Sequence, residues 1–374
     1  MTLEEKEFGS LHTRPPMSPP RLAVLTGGGT LGHVMPNLSV AAKLQSMGWD
    51  VHYIGSHAGP EVEAARGAGI PYSGIPSGKL RRYFDWKNFI DPFYVLVGII
   101  RAWLLLGRIK PSIVFSKGGF VTFPVVFAAW LRRIPSIIHE SDLTPGLANR
   151  LSFPFAGTIC TGFPETVKIL GGRNAVYTGI PSRPDLNDRD RDRGQKRFHL
   201  DPSKTTVLAF GGSLGSKAIN LAVRSLLAKH EPDLQFVHIC GKNSIDHTLD
   251  TEPGYVQFEI LNREFPDALA VADVAVCRAG ATSLNELLEV HVPAVLIPLP
   301  LESSRGDQID NAKSFTRRGF GMTLDEASVT PENLLTAVRE VLKNRQLHIG
   351  KMQEEASMDS ASKIANLLSE KAKL

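Results

Sequence analysis

Twice in this chain an apolar run rich in β-branched residues gives way to a cluster of glycines and then to a helical pattern, and no other feature limits the fold so strongly. Residues 22–26 run into Gly27-Gly28-Gly29-Thr30-Leu31-Gly32-His33, after which Pro36 opens a helix carried by Val40, Leu44 and Met47. Residues 207–210 run into Gly211-Gly212-Ser213-Leu214-Gly215, and residues 219–227 continue as a helix. A buried strand feeding a helix through glycines is the opening unit of a doubly wound sheet. The missing side chains permit a tight turn and let an anion approach the free N–H groups of the helix. Two such openings in 374 residues, a length too great for one ordinary core, predict an α/β fold of two Rossmann-like domains with parallel sheets. Further strands are expected at residues 51–54, 112–116 and 137–140 in the first half and at 236–240, 274–276 and 294–298 in the second. Residues 332–342 and 352–368 carry helical periodicity.

Gly27, Gly29 and Gly32 satisfy the spacing of a dinucleotide-binding loop, a reading that calls for an acidic residue at the end of the second strand. That strand ends instead in Gly55, Ser56 and His57. The loop therefore reads as a general phosphate cradle suited to a pyrophosphate, and no cofactor is expected. His33 closes the loop and His139 stands near the end of a strand; each is open to reading as a cleft residue or as an ordinary hydrogen-bonded histidine.

Composition narrows the class. The chain is 43% hydrophobic and 21% charged, as expected of a soluble globular protein, and its formal charge of +4 is too small to call for nucleic acid. Cys160, Cys240 and Cys277 are widely separated, with neither metal-ligand spacing nor a disulfide framework, which fits a reducing cytoplasm. Residues 1–20 lack the pattern of a secretory signal, and Pro15, Pro16, Pro19 and Pro20 suggest a disordered tail.

The stretch from 274 to 311 carries the most chemistry. A short buried strand stops at Arg278, Ala279 and Gly280, and a helix starts at once, with Leu284, Leu287 and Leu288 on one face and Thr282, Glu286 and Glu289 on the other. Small residues at Ala279, Gly280 and Ala281 leave the helix N-terminus open to an anion such as a diphosphate. Glu286, one turn further in, could accept hydrogen bonds from both hydroxyls of a ribose, or could be a solvated helix residue. The following SRGDQIDNA segment would lie in the same crevice, at the carboxyl ends of the strands.

Two other segments bear on partners. Residues 79–89 interleave Lys79, Arg81, Arg82 and Lys87 with Leu80, Tyr83, Phe84, Trp86 and Phe89, a mixture suited to an anionic bilayer surface or to the solvated shoulder of a core helix. The apolar run that follows, residues 93–106, is interrupted by Arg101 and is shorter than the roughly 20 residues needed to span hydrocarbon. Residues 188–193, DRDRDR, contain an Asp-x-Asp spacing used by some metal-dependent transferases, but their alternating charge beside prolines reads as an exposed linker, and no metal is expected.

Taken together these motifs, in this order, closely resemble the bacterial MurG family of glycosyltransferases, which add N-acetylglucosamine to lipid I. The resemblance covers nearly all of the chain beyond the first twenty residues. It implies a GT-B type fold whose domains face across a cleft, with residues 21–180 holding the acceptor and the membrane, residues 181–354 holding the UDP-sugar, and a last helix (355–374) packing back on the first domain. On the donor side it implies Arg183 by the uracil, Gly212, Ser213 and the Ala279, Gly280 and Ala281 amides on the diphosphate, Glu286 on the ribose, and Gln308 with Asn311 near the sugar hydroxyls. On the acceptor side it implies Gly28, Gly29, Thr30, Gly32, His33, Gly118, Gly119, His139, Asp142 and Asn149. Lys79, Leu80, Arg81, Arg82, Phe84, Trp86 and Lys87 would meet the membrane. The implied reaction is inverting transfer from UDP-N-acetylglucosamine to the muramyl 4-hydroxyl of lipid I without a metal, with His33 as candidate general base. The expected place is the cytoplasmic face of the cell membrane, peripherally on anionic lipids and beside other cell-wall synthesis proteins. Another lipid acceptor, or 2-epimerisation of the sugar nucleotide, stays open. Asp142 stands where the family often has Asn, and Asp307 where it often has a second glutamine.

Overall fold

The computed structural model describes residues 21–29, 31–78, 91–212, 215–229, 231–355 and 359–372. The first sheet holds seven parallel strands: β1 (Leu22–Thr26), β2 (Asp50–Ser56), β3 (Tyr72–Ile75), β4 (Ile113–Ser116), β5 (Ser136–Glu140), β6 (Thr158–Thr161) and β7 (Ala175–Tyr177), in the order β3-β2-β1-β4-β5-β6-β7. The second holds β8 (Thr205–Phe210), β9 (Leu234–Ile239), β10 (Tyr255–Phe258), β11 (Val274–Cys277), β12 (Ala294–Leu296) and β13 (Gly321–Thr323), in the order β10-β9-β8-β11-β12-β13. The predicted two-domain GT-B architecture is the one observed. Both sheets reverse order beside the strand that feeds a glycine loop: Leu25 lies between Tyr53 and Phe115, and Leu208 between Val237 and Ala275. Such a reversal parts the loops on either side and opens a crevice at the carboxyl ends of the strands.

Every residue of β4, β5 and β11 is buried, as required of parallel strands covered by helices on both faces. The chain's last helix, Ser360–Lys371, belongs to the first sheet's core: Ile364, Ala365 and Leu368 are buried in the cluster that includes Ala23, Leu25, Val40 and Leu44. Fully burying Ile364 and Leu368 contributes about 1.5–3 kcal/mol each. Asp359 starts this helix by accepting from Ser362 N, and pairs with Lys43 at 3.0 Å.

Four expectations need correction. The helix expected over 352–368 is two, Arg345–Glu355 and Ser360–Lys371, because the Asp359 cap starts a second one. Pro36 does not open its helix but lies inside Leu31–Ser46. The DRDRDR segment is exposed as expected but is not a linker: Asp190 caps the helix Arg191–Arg197, and Arg193 pairs with buried Asp267 at 2.7 Å. Strands β3, β6, β7, β10 and β13 were not anticipated; each is only three or four residues long.

Candidate active site

A cavity of about 440 Å³ opens between the sheets, lined on the second domain by Phe210, Gly212, Ile239, Leu261, Phe265, Thr282, Ser283 and Glu286, on the first by Gly32 and Met35, and at the crossing by Arg183 and Asp185. Arg183 is fixed from two sides: Asp185 takes Nε and Nη2 at 2.5 and 2.8 Å, and the Asn262 carbonyl takes Nη2 at 2.7 Å. The guanidinium thereby lies over Phe265, 5.6 Å from the ring centre, and Phe265 meets Phe210 edge to face. A flat apolar wall with a fixed cation is a surface on which a planar base can stack. Sequence reading found Arg183, Gly212 and Glu286 but missed Phe210, Phe265 and Asp185; the aromatic residues carried no signal because they lie far apart in sequence.

The helix Ala281–Val290 begins at Gly280 without a side-chain cap, and nothing lies within 4 Å of where a Gly280 side chain would project. Its first N–H groups are open to an anion. Gly212, at φ 87°, is likewise open. Glu286 is not on a solvated face: it is only 8% exposed, because the polar side of this helix is turned into the cleft. Burial pushes its carboxyl up to about 7, with Arg183 pulling down and Asp185 and Glu289 pushing up. Such a group favours a partner that donates hydrogen bonds to its charged form.

On the facing domain the glycine loops interlock. Gly119 adopts φ 97°, and a side chain there would meet the Gly28 carbonyl at 2.4 Å. Glu61, fully buried, completes the first loop by accepting from Gly29 N and from Ser56 N and Oγ. The acidic residue missing from the end of β2 is thus supplied by the next helix, Pro60–Gly67, and is bonded inward. His33 Nδ1 is buried without a hydrogen-bond partner. Burial, then Lys117, then Arg305, hold the imidazole down to about 4. Lys117, unassigned by the sequence, is fully buried with its ammonium on Ser141 Oγ; burial lowers it to about 8 against the upward pull of Glu140 and Asp142. His139 is fully buried, its Nε2 2.8 Å from the Gly179 carbonyl.

Asp142, Asn149 and Asn311 belong to a separate cluster across the cleft. Glu140, at the end of β5, accepts from Asp142 N, Gly146 N and Asn149 Nδ2 at 2.8–3.0 Å and so shapes the loop after the strand. Asn311, fully buried, accepts from Leu143 N at 2.9 Å and donates to Asp142 Oδ1 and the Ala279 carbonyl. Gln308 accepts from Leu299 N at 3.2 Å. Neither Asn311 nor Gln308 lines the cavity that holds Arg183, Gly212 and Glu286. Among the described residues no group of His, Cys, Asp and Glu is arranged to hold a metal ion.

Residues 23–161 match the N-terminal domain of glycosyltransferase family 28, and residues 206–368 match its C-terminal domain. The chain belongs to glycosyltransferase family 28. The chain is 47% identical over 352 residues to the UDP-N-acetylglucosamine–N-acetylmuramyl-(pentapeptide) pyrophosphoryl-undecaprenol N-acetylglucosamine transferase of Geobacillus kaustophilus, covering 94% of this chain and 99% of that one. The transferase of the same name from Geobacillus thermodenitrificans is 48% identical, covering 94% and 99%. The crystal structure of Acinetobacter baumannii MurG superposes with a TM-score of 0.74 at 27% identity, over 94% of this chain and all of that one.

In this family 28 chain, Thr30, Ser213, the membrane candidates Lys79, Leu80, Arg81, Arg82, Phe84, Trp86 and Lys87, and the tail 1–20 lie outside the described residues. The apolar run beyond them is longer than sequence suggested. It forms the helix Asp91–Ile109, whose stretch Pro92–Ile109 is long and apolar enough to cross a membrane by length and composition. One side of that helix nonetheless belongs to the domain core: Ala102 and Leu106 are buried with Val24, Val114 and Val125, and a side chain at Gly98 would meet the Pro76 carbonyl at 2.4 Å. The other side exposes Phe93, Leu96, Ile100, Trp103 and Leu104.

Proposed function

We infer that this chain transfers N-acetylglucosamine from UDP-N-acetylglucosamine to lipid I, forming lipid II for peptidoglycan synthesis. The observation that carries the reading is its identity of 47% with a transferase of that name over nearly the whole of both chains. The donor's uracil would stack by Arg183 and Phe265, its ribose hydroxyls would donate to Glu286, and its diphosphate would take the open amides of Gly212 and of the helix at Gly280. Those amides stabilise the charge that develops on the leaving UDP. The muramyl 4-hydroxyl would lose its proton to His33 as its oxygen forms a bond to the anomeric carbon from the face opposite UDP. The anomeric carbon's bond to the phosphate oxygen breaks in the same event, its electron pair leaving with UDP, and the new linkage is β.

The glycine loops of the first domain would seat the acceptor's diphosphate. The exposed apolar face of Asp91–Ile109 would lie on the cytoplasmic surface of the membrane, with the basic side chains of residues 79–87 meeting anionic lipid. The test is incubation with labelled UDP-N-acetylglucosamine and, separately, lipid I, diacylglycerol or no acceptor. Label in a lipid-linked disaccharide with lipid I alone supports the reading. Label in a diacylglycerol glycoside, or a changed sugar nucleotide without acceptor, would replace it.

A further inference from the structure

We propose that Arg305 is a positioning residue that clasps the acceptor-side loop to the donor-side helix and so sets the two domains in register for transfer. The inference rests on the reading that acceptor and donor occupy the two domains. Arg305 lies just before the helix Asp307–Arg317 of the second domain. Its Nη2 donates to Asp142 Oδ2 of the first domain at 3.1 Å, while Nε faces Asp307 Oδ1 at 3.5 Å and its backbone N–H donates to the same oxygen at 3.2 Å. A guanidinium is planar and offers donors along two edges, so one Arg can join two carboxylates that would otherwise repel. The other Asp142 oxygen accepts from Asn311 Nδ2 at 3.1 Å, on the same helix. Asp142 is therefore held at both oxygens by the second domain, and its own loop is held by Glu140 behind it.

Position and exposure both suit this role. Arg305 does not line the donor cavity, yet its charge acts on His33, so it stands between the two half-sites. The side chains of Arg305, Asp142 and Asp307 are 31, 21 and 19% exposed. At this partial exposure the pairs still reach solvent and can open, as a cleft that must admit substrate and release UDP requires.

Charge reversal tests the clasp. Arg305→Gln and Asp142→Arg should each lower kcat with lipid I about tenfold, the scale of a coupled pair, while UDP affinity stays within about twofold. X-ray scattering of both variants with UDP should give a larger radius of gyration than the parent. The swap Asp142→Arg with Arg305→Asp restores opposite charges and should recover most of the lost rate and the parent's dimensions. A swap no better than the worse single variant, or dimensions unchanged in the singles, would overturn the proposal. So would UDP affinity falling tenfold or more in Arg305→Gln, since Arg305 would then touch the donor. A parent that transfers nothing to lipid I would refute the functional reading instead, and the scattering comparison would still decide the clasp.

Discussion

Thr282 Oγ1 donates to the carbonyl of Gly32 at 3.2 Å, joining the helix Ala281–Val290 of the second domain to the first turn of the helix Leu31–Ser46 across the cleft. Pro36 makes this bond available. The N–H that would ordinarily bond the Gly32 carbonyl belongs to the residue four positions on, and at that position proline has none. The carbonyl is left unpaired within its own helix and finds its donor in the other domain.

The first prediction follows from that pairing. Pro36→Ala should raise the melting temperature, because proline inside a helix costs up to about 3 kcal/mol relative to alanine. The same change draws the Gly32 carbonyl into its helix, and kcat should fall severalfold, as it should in Thr282→Val. A Pro36→Ala protein that is both less stable and fully active would show that the proline serves its own helix only.

The second concerns Glu286 and pH. Burial raises its pKa from 4.5 to about 7, so between those values the unfolded chain has lost a proton that the folded one keeps, and stability falls as pH rises. The cost is absent below about pH 4.5 and fully present above about pH 7, where a shift of this size amounts to about 3 kcal/mol. Glu286→Gln should therefore melt higher than the parent at pH 8, and the two should converge near pH 4.5. Ribose hydroxyls donating to the carboxylate favour its charged form, so UDP affinity should climb through pH 7 in the parent and stay flat in Glu286→Gln. Calorimetric titration at pH 6 and pH 8 measures both.

The third concerns His33. With its pKa lowered to about 4, its ring should stay neutral from pH 8 down to pH 5 in nitrogen-15 NMR spectra of histidine-labelled protein. His33→Ala should lower kcat about 10²- to 10⁴-fold if the ring takes the acceptor's proton, with UDP affinity nearly unchanged. A rate within a factor of about three of the parent would reduce His33 to a loop residue.

The fourth concerns the membrane. Leu96, Ile100 and Leu104 are exposed on the apolar helix, so changing all three to Ser should leave the melting temperature nearly unchanged. Co-sedimentation with anionic vesicles should fall at least about tenfold, since interfacial binding scales with buried apolar area. Changing Lys79, Arg81, Arg82 and Lys87 to Gln should weaken the same binding and flatten its dependence on salt, each basic residue being worth about 1 kcal/mol near a charged surface. Binding unchanged in both variants would place the membrane contact elsewhere.

The features legible in sequence were those whose physics is local. Glycine loops after β-branched runs located the opening unit of each domain, since both the turn and the strand that feeds it lie within a dozen residues. The periodicity of 281–290 located Glu286 on its helix but not its burial, because the cleft side and the solvent side of a helix are polar alike. Phe210 and Phe265, Glu61 behind Gly29, and Lys117 on Ser141 depend on contacts between distant segments and left no pattern to find. Asp142 and Asp307 could be noted as departures from the family, but only the folded chain places Arg305 between them.

The assignment of the donor site around Glu286 can be tested from both partners at once, with UDP-N-acetylglucosamine and its 2′-deoxyribose analogue bound to the parent and to Glu286→Ala. Hydrogen bonds to a charged group are worth about 1.5–3 kcal/mol, so the parent should lose roughly 10- to 10²-fold in affinity with the deoxy donor. In Glu286→Ala that penalty should nearly vanish, because the contact is already gone. Equal penalties in the two proteins would mean that Glu286 does not touch the ribose, and would contradict the donor site described.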